Sequence, residues 1–252
     1  MKRLVKRAIL QMLSLFCRDD GPHVVYYHDI GVAHTKMGTN SELFKAHVST
    51  ARTQGYDFVR GDDLLESVDG KKKLLLCFDD GFRGIYESRE YLLAENLFPI
   101  VFIAIELVGQ RGYLTWEEIR SLQECGVVFA SHTWSHRSLT EVKPFELKHE
   151  LFDSREELEQ RLGHKVDWLC FPRGLFSLRV LDACEEAGYS MLFTSVPGDA
   201  DRTIAVPGYS GVARLVPRNL AQAASVGEFR CILRGAMTPL QGRYLCKHFV
   251  VD

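Results

Sequence analysis

Short apolar runs recur along most of the chain, and stretches with helical patterning separate them. The runs are "HVVYYH", "KLLLCF", "PIVFIAI", "GVVFAS", "WLCFP" and "MLFTS". Each is rich in β-branched, aromatic or leucine side chains and nearly free of polar interruption, which is how strands buried on both faces read. Between them, "TWEEIRSLQECG" opens on a capping box, Thr115 and Glu118, and closes on Gly126. From Phe145 to Leu162, the leucines 147, 151, 158 and 162 fall on one helical face, with charges opposite and Gly163 as a stop. "SLRVLDACEEAG", opening on Ser177, repeats the design on a smaller scale. Apolar strands alternating with amphipathic helices predict a parallel sheet covered by helices, either an open α/β sheet or a β/α barrel. In both architectures the chemistry sits at the carboxyl ends of strands. Pro197 to Gly211 reads as a long loop, and after Arg218 the pattern weakens.

The chain has 252 residues, 46% of them hydrophobic and 25% charged, as expected of one globular domain with a large core. We place that domain at residues 21–252, behind an amphipathic segment at 1–20. A formal net charge of -2 gives no reason to expect nucleic acid as a partner and favours neutral substrates. Seven cysteines, an odd number without paired spacing, read as free thiols in a reducing, cytoplasmic setting. The N-terminus has Lys2, Arg3, Lys6 and Arg7 ahead of a short apolar stretch, with "RDDGP" where a small-residue cleavage site would stand. The expectation is an amphipathic first helix in peripheral contact with a membrane through residues 1–17.

The candidate chemistry falls at two strand ends. Asp79 and Asp80 end the run "KLLLCFDD", and "SHTWSH" after "GVVFAS" holds His132 and His136. Adjacent aspartates alone read as a solvated turn or a helix cap. Two histidines four residues apart, joined by a carboxylate, make a three-ligand set that leaves positions open for water and substrate. The same set is the facial triad of non-haem iron oxygenases, although the double-sheet patterning expected of their jelly roll is absent.

Taken together, "CFDDGF", "SHTWSH" and "FPRGLFS" (Phe171 to Ser177) resemble, in order, three motifs of the polysaccharide deacetylase family, carbohydrate esterase family 4. The upstream "VVYYHDIG" and "GYDFV" match the lead-in of one branch, and the resemblance covers about Val24 to Ser195. It implies a distorted (β/α) barrel and metal-dependent removal of an acetyl group from nitrogen or oxygen of a sugar. By that resemblance Asp79 is the general base, and Asp80, His132 and His136 hold a divalent metal, most often zinc. The third motif lines the groove, which places Phe171, Pro172 and Gly174 against substrate. Arg173 is expected beside Asp79, tuning its basicity. Trp134 is a candidate to stack on a pyranose ring, and His28 stands at the same rim.

The chain departs from the family pattern twice. The third motif usually carries an Arg two residues ahead of its Pro, and Cys170 stands there. The last motif supplies a His after an apolar strand as general acid, and no Leu-x-His occurs near the C-terminus; His248 precedes its apolar residues instead. A barrel that binds a glycan without turning it over is the alternative reading.

Overall fold

Every apolar run named above is a strand in the computed structural model of the chain, which describes residues 2–17, 21–31, 38–64, 72–222 and 224–251 and, of residues 2–6, the backbone alone. Residues 18–20, part of the stretch on which the cleavage-site reading rests, lie outside the described residues. The strands are β1 (His23–Tyr27), β2 (Asp29–Ile30), β3 (Gly38–Thr39), β4 (Tyr56–Phe58), β5 (Lys72–Phe78), β6 (Ile100–Ile103) and β7 (Val128–Ser131). They continue with β8 (Trp168–Cys170), β9 (Met191–Phe193), β10 (Arg214–Val216) and β11 (Asn219–Leu220). The helices are α1 (Lys2–Phe16), α2 (Ser41–Thr53), α3 (Gly84–Glu87), α4 (Arg89–Ala94) and α5 (Trp116–Glu124). After them come α6 (Pro144–Lys148), α7 (Ser154–Leu162), α8 (Leu178–Glu186), α9 (Val226–Leu233) and α10 (Gln241–His248).

The main sheet runs β10-β9-β8-β7-β6-β5-β1-β11, with β4 also on β5. All its pairs are parallel. The sheet curls into a distorted barrel wrapped by helices, as the alternation of patterns predicts. Its two end strands, β10 and β11, are consecutive in the chain, so the seam is bridged by Pro217 and Arg218 alone.

Side chains of a strand alternate between faces, and both faces here are apolar. One parity fills the lumen: Val24 and Tyr26, Leu75 and Cys77, Ile100 and Phe102, Ala130, Cys170, Phe193 and Val216 form one buried cluster. The other parity faces the helices, with Val25, Tyr27, Leu74, Leu76, Phe78, Val101, Ile103 and Phe129 in a second cluster and Leu169, Leu192 and Leu215 in a third. Each large side chain so buried contributes about 1.5–3 kcal/mol.

The helix signals of the sequence hold. Thr115 accepts from the Glu118 amide at 3.3 Å while Glu118 reaches back to the Thr115 amide at 3.0 Å. Ser177 caps α8, and Gly163 ends α7 with φ 76°. The stretch from Phe145 to Leu162 differs from the single helix expected, because a π-helical turn at His149–Asp153 separates α6 from α7. Beyond Arg218 the structure adds β11, α9 and α10, which the weakening pattern hid. α1 packs on α9. Among the described residues no helix is long and apolar enough to cross a membrane, and all seven cysteines are unpaired.

Candidate active site

The site is the lumen carried one residue past the strand ends. Tyr26 of β1 points inward, and so does His28 beyond it. Cys77 is followed at the same parity by Asp79, and Ala130 by His132. These side chains meet in a cavity of about 210 Å³ that Asp80, His136, Arg173, Ser195 and His248 also line. Two larger depressions, of about 270 Å³ and 600 Å³, lie elsewhere on the surface. Among the described residues, the candidate metal-ligating clusters both fall at the smaller cavity.

Asp79 ends in a closed arrangement. Arg218, wholly enclosed, presents both prongs of its guanidinium to the carboxylate at 2.6 and 2.9 Å. The same group donates to the Thr194 carbonyl at 2.9 Å and to Cys170 Sγ at 2.8 Å, and lies 4.3 Å over the Tyr26 ring. Burial pushes the Asp79 pKa up, but the Arg218 charge outweighs it and holds the carboxyl below its usual range. Burial also pushes the Tyr26 phenol up to about 12, so it stays a neutral donor.

Asp80 is different. Its backbone takes φ 70°, which turns the side chain out of the strand's alternation. Its Oδ1 stands 3.2 Å from His132 Nε2 and 3.0 Å from His136 Nε2, yet it takes no hydrogen bond although buried. His132 Nδ1 lies 2.7 Å from the Cys170 carbonyl, which only an N–H can satisfy. In the neutral imidazole this leaves the Nε2 lone pair free on the Asp80 side of the ring. The Asp80 oxygen and the two Nε2 atoms lie within 4.8 Å of one another, and bare lone pairs on such a set would repel unless a proton or a cation lay among them. Borderline divalent metals favour such a nitrogen and oxygen donor set, so the residues fit the group. Burial raises the Asp80 pKa, but where the two histidines carry protons toward it they outweigh burial and pull the carboxyl well below its usual range.

The histidine loop is held from behind. Glu150, 2% exposed on the π-helical turn, accepts from the Trp134 amide at 3.1 Å, the Ser135 amide at 3.0 Å and the Ser135 hydroxyl. Thr133 and His136 have φ 70° and 60°. Such conformations cost a non-glycine residue about 1–3 kcal/mol and persist where the surroundings over-determine them. Among the described residues five have this geometry, and Asp80, Thr133, His136 and Arg173 are four of them.

The structure separates the expected site residues. Asp79, Asp80, His132, His136, Phe171, Gly174, Arg173 and His28 reach the cavity. Pro172 is buried and does not line it, and the Trp134 ring packs 4.4 Å from His149 instead of lining the cavity. Arg173 does reach the rim, but the guanidinium on Asp79 is Arg218. The Gly174 turn is tight, since a Cβ there would meet Ser195 at 2.5 Å. Sequence reasoning missed Arg218, Glu150 and the placement of His248. His248 donates from Nδ1 to the Tyr244 carbonyl at 2.8 Å, which fixes its tautomer, and burial lowers its pKa. For Arg218 the available signal was "VPRN" directly after an apolar triplet, a cation at a strand end.

Comparison with known proteins points the same way. Residues 66–192, about half of the chain, match the family model described as polysaccharide deacetylase. YxkH of Bacillus subtilis, whose name assigns it to that family, is 26% identical over 71% of this chain and 66% of its own length. The peptidoglycan-N-acetylmuramic acid deacetylase PdaA of the same organism is 26% identical over 50% of this chain and 48% of its own. The chain thus spans about half to just under two thirds of these relatives. The Streptococcus pyogenes deacetylase PplD, solved in complex with acetate, shares the fold with a TM-score of 0.72 at 20% identity, over 84% of this chain and 98% of that one.

Proposed function

The chain belongs to the polysaccharide deacetylase family, and we propose that it is a metal-dependent hydrolase that removes an acetyl group from an acetylated sugar or glycan. The observation that carries this reading is the pairing, in one cavity, of a carboxylate fixed by Arg218 with a second carboxylate set against the Nε2 atoms of two histidines. Asp80, His132 and His136 would hold a divalent cation, zinc by expectation. When bound, it would supply Lewis acidity at the acetyl group.

Asp79 is the base. Arg218 donates to both of its oxygens and the Cys170 thiol also approaches Oδ2, which leaves a lone pair of Oδ1 for water, so the carboxylate accepts the water's proton as the oxygen attacks the acetyl carbon. The carbonyl electron pair moves onto oxygen. Of the turn at Pro172 to Leu175, the Gly174 and Leu175 amides already donate to the Phe171 and Pro172 carbonyls, which leaves the Arg173 amide, with the neutral Tyr26 hydroxyl, to donate to that oxygen. The bond from acetyl carbon to sugar nitrogen or oxygen then breaks. His248, whose Nδ1–H stays on the Tyr244 carbonyl, must first take up a proton at Nε2 from solvent against the burial that lowers its pKa. That proton then goes to the leaving group, and acetate departs. In this reading the acid stands on α10, a helix, instead of after a strand.

The relative's name makes an N-acetyl sugar within a surface glycan the natural first substrate, and synthesis of a surface polysaccharide or glycoconjugate the natural setting. The test is acetate release from N-acetylated chitooligosaccharides and from an activated aryl acetate, by the wild type and by His248→Ala. Amide cleavage needs a protonated leaving group and should fall about 10²-fold or more in the variant. The aryl ester, whose leaving group needs no proton, should be cleaved nearly as before. Absence of acetate from every substrate, with metal supplied, would sink the deacetylase reading. Equal loss on both substrates would remove His248 from the acid's role.

A further inference from the structure

We propose that α1 is a docking surface for an anionic lipid bilayer. The inference is independent of the deacetylase reading. The helix has two apolar faces. One is used inside the protein: Leu10 and Ser14 are buried, and Leu13 packs on the core cluster that contains Phe229, Ile232 and Leu233 of α9. The other is open. Ile9, Met12 and Phe16 follow at helical spacing with Leu15 beside them, and they are 42%, 54%, 82% and 74% exposed. A surface helix normally confines its apolar residues to the stripe that meets the core and covers the rest with polar ones. Here the apolar arc continues on the solvent side, as a convex ridge ending at Phe16.

Charge selects the occupant. The helix carries Lys2, Arg3, Lys6 and Arg7 and no acidic residue, while the chain as a whole is at -2, so the body behind the helix is acidic. A second copy of the chain meeting this one helix to helix would bring four more positive charges against these four. An anionic bilayer accepts both properties together: the headgroups attract the basic residues, and the apolar ridge seats in the boundary between headgroups and acyl chains.

The test is flotation of the full-length protein with phosphatidylcholine vesicles and with vesicles of phosphatidylcholine mixed with phosphatidylglycerol. Two variants join it, Met12→Glu/Phe16→Glu on the ridge and Lys2→Gln/Arg3→Gln/Lys6→Gln/Arg7→Gln on the charge. The wild type should float with the anionic vesicles, leave them as salt rises, and bind neutral vesicles weakly. Each basic residue neutralised should weaken partitioning about fivefold, and the ridge variant should not float. Thermal melting confirms that both variants remain folded. Failure of the wild type to float with anionic vesicles overturns the proposal, as does undiminished flotation of the ridge variant. A lipid-free dimer that the ridge variant breaks would assign the face to a second copy instead.

Discussion

The Asp79 carboxylate meets both prongs of a guanidinium at 2.6 and 2.9 Å, whereas the Asp80 oxygen, one residue on, faces two imidazole nitrogens at 3.2 and 3.0 Å without a hydrogen bond. The first is satisfied within the protein; the second is arranged for something the protein does not itself supply. Two adjacent buried carboxylates are costly because each raises the other's pKa. The sequence suggested that one cation would relieve both. In the structure each carboxylate has its own compensation. Arg218 neutralises Asp79 within the protein, and the histidine side is the set that would hold a cation in the proposed reading. A backbone turn at φ 70° sends the neighbours into these separate surroundings.

Exchanging each carboxylate for its amide tests that division most severely. Asp79→Asn should keep its metal and lose about 10²- to 10⁴-fold in turnover, because the proton acceptor is gone. Asp80→Asn should lose metal affinity, since a neutral amide replaces an anionic donor beside a cation. Excess metal should then restore part of its activity and do nothing for the Asp79 variant. The measurement is acetate release during a metal titration, with metal content read separately. Rescue of the Asp79 variant would reverse the roles, and wild-type turnover in both would remove the pair from the chemistry.

Removing Arg218 sharpens the same contrast. Arg218→Leu leaves Asp79 buried without its partner, and breaking a buried pair from one side costs about 3–5 kcal/mol. Urea unfolding should record that loss, and Asp79→Asn added to Arg218→Leu should recover much of it, a coupling that the double-mutant cycle reads directly. Metal content should stay near wild type. Additive losses would mean that the two groups do not depend on each other.

The same contrast explains what could be read in advance. Asp79, Asp80, His132 and His136 lie in two short local motifs at strand ends; lumen parity carries Asp79 and His132 inward, and left-handed turns at Asp80 and His136 bring those two side chains to the same cavity. Arg218 is 139 residues from Asp79, and its two-residue partner strand, β11, is too short to leave a period. Glu150 was hidden for a different reason. An acid in an amphipathic helix reads as solvent-facing, and only the π-helical turn at His149–Asp153 goes with its burial. His248 sits at the end of a helix, where the family pattern gave reason to look for a strand. The barrel itself was legible because its strands are apolar on both faces and its helices carry clear caps.

Glu150 supplies an intermediate test, since it acts on the Asp80 side only through the histidine loop. Glu150→Ala releases two backbone amides and should lower metal affinity about 10- to 100-fold, as loss of a supporting hydrogen bond behind metal ligands does. Glu150→Gln keeps an acceptor oxygen and should recover part of that affinity. Calorimetric metal titration of the folded variants measures it. Unchanged affinity in Glu150→Ala would make Glu150 a packing residue, with no part in holding the loop.

A titration outside both carboxylates sets the lower end of the scale. His47 accepts the Tyr27 hydroxyl at Nδ1 and donates from Nε2 to the Ala224 carbonyl, each at 3.0 Å, with its ring stacked 4.2 Å from Phe229. Both nitrogens are committed to the neutral form, and burial lowers the pKa from 6.5 to about 4. A histidine whose folded pKa lies below its unfolded one stabilises the fold fully above the unfolded value. That contribution is lost as pH falls from 6.5 through about 4. At about 1.4 kcal/mol per pKa unit the loss reaches about 3 kcal/mol. Asp79 and Asp80 are also depressed, but from 3.8, so their contribution persists until the pH falls below that value. Urea midpoints measured against pH should therefore decline in two steps. His47→Gln should diminish the upper step, with a remainder from His248, which is depressed in the same direction. Asp79→Asn should diminish only the lower step. If His47→Gln leaves the upper step at its full size, the neutral His47 bridge between Tyr27 and Ala224 contributes nothing to acid sensitivity.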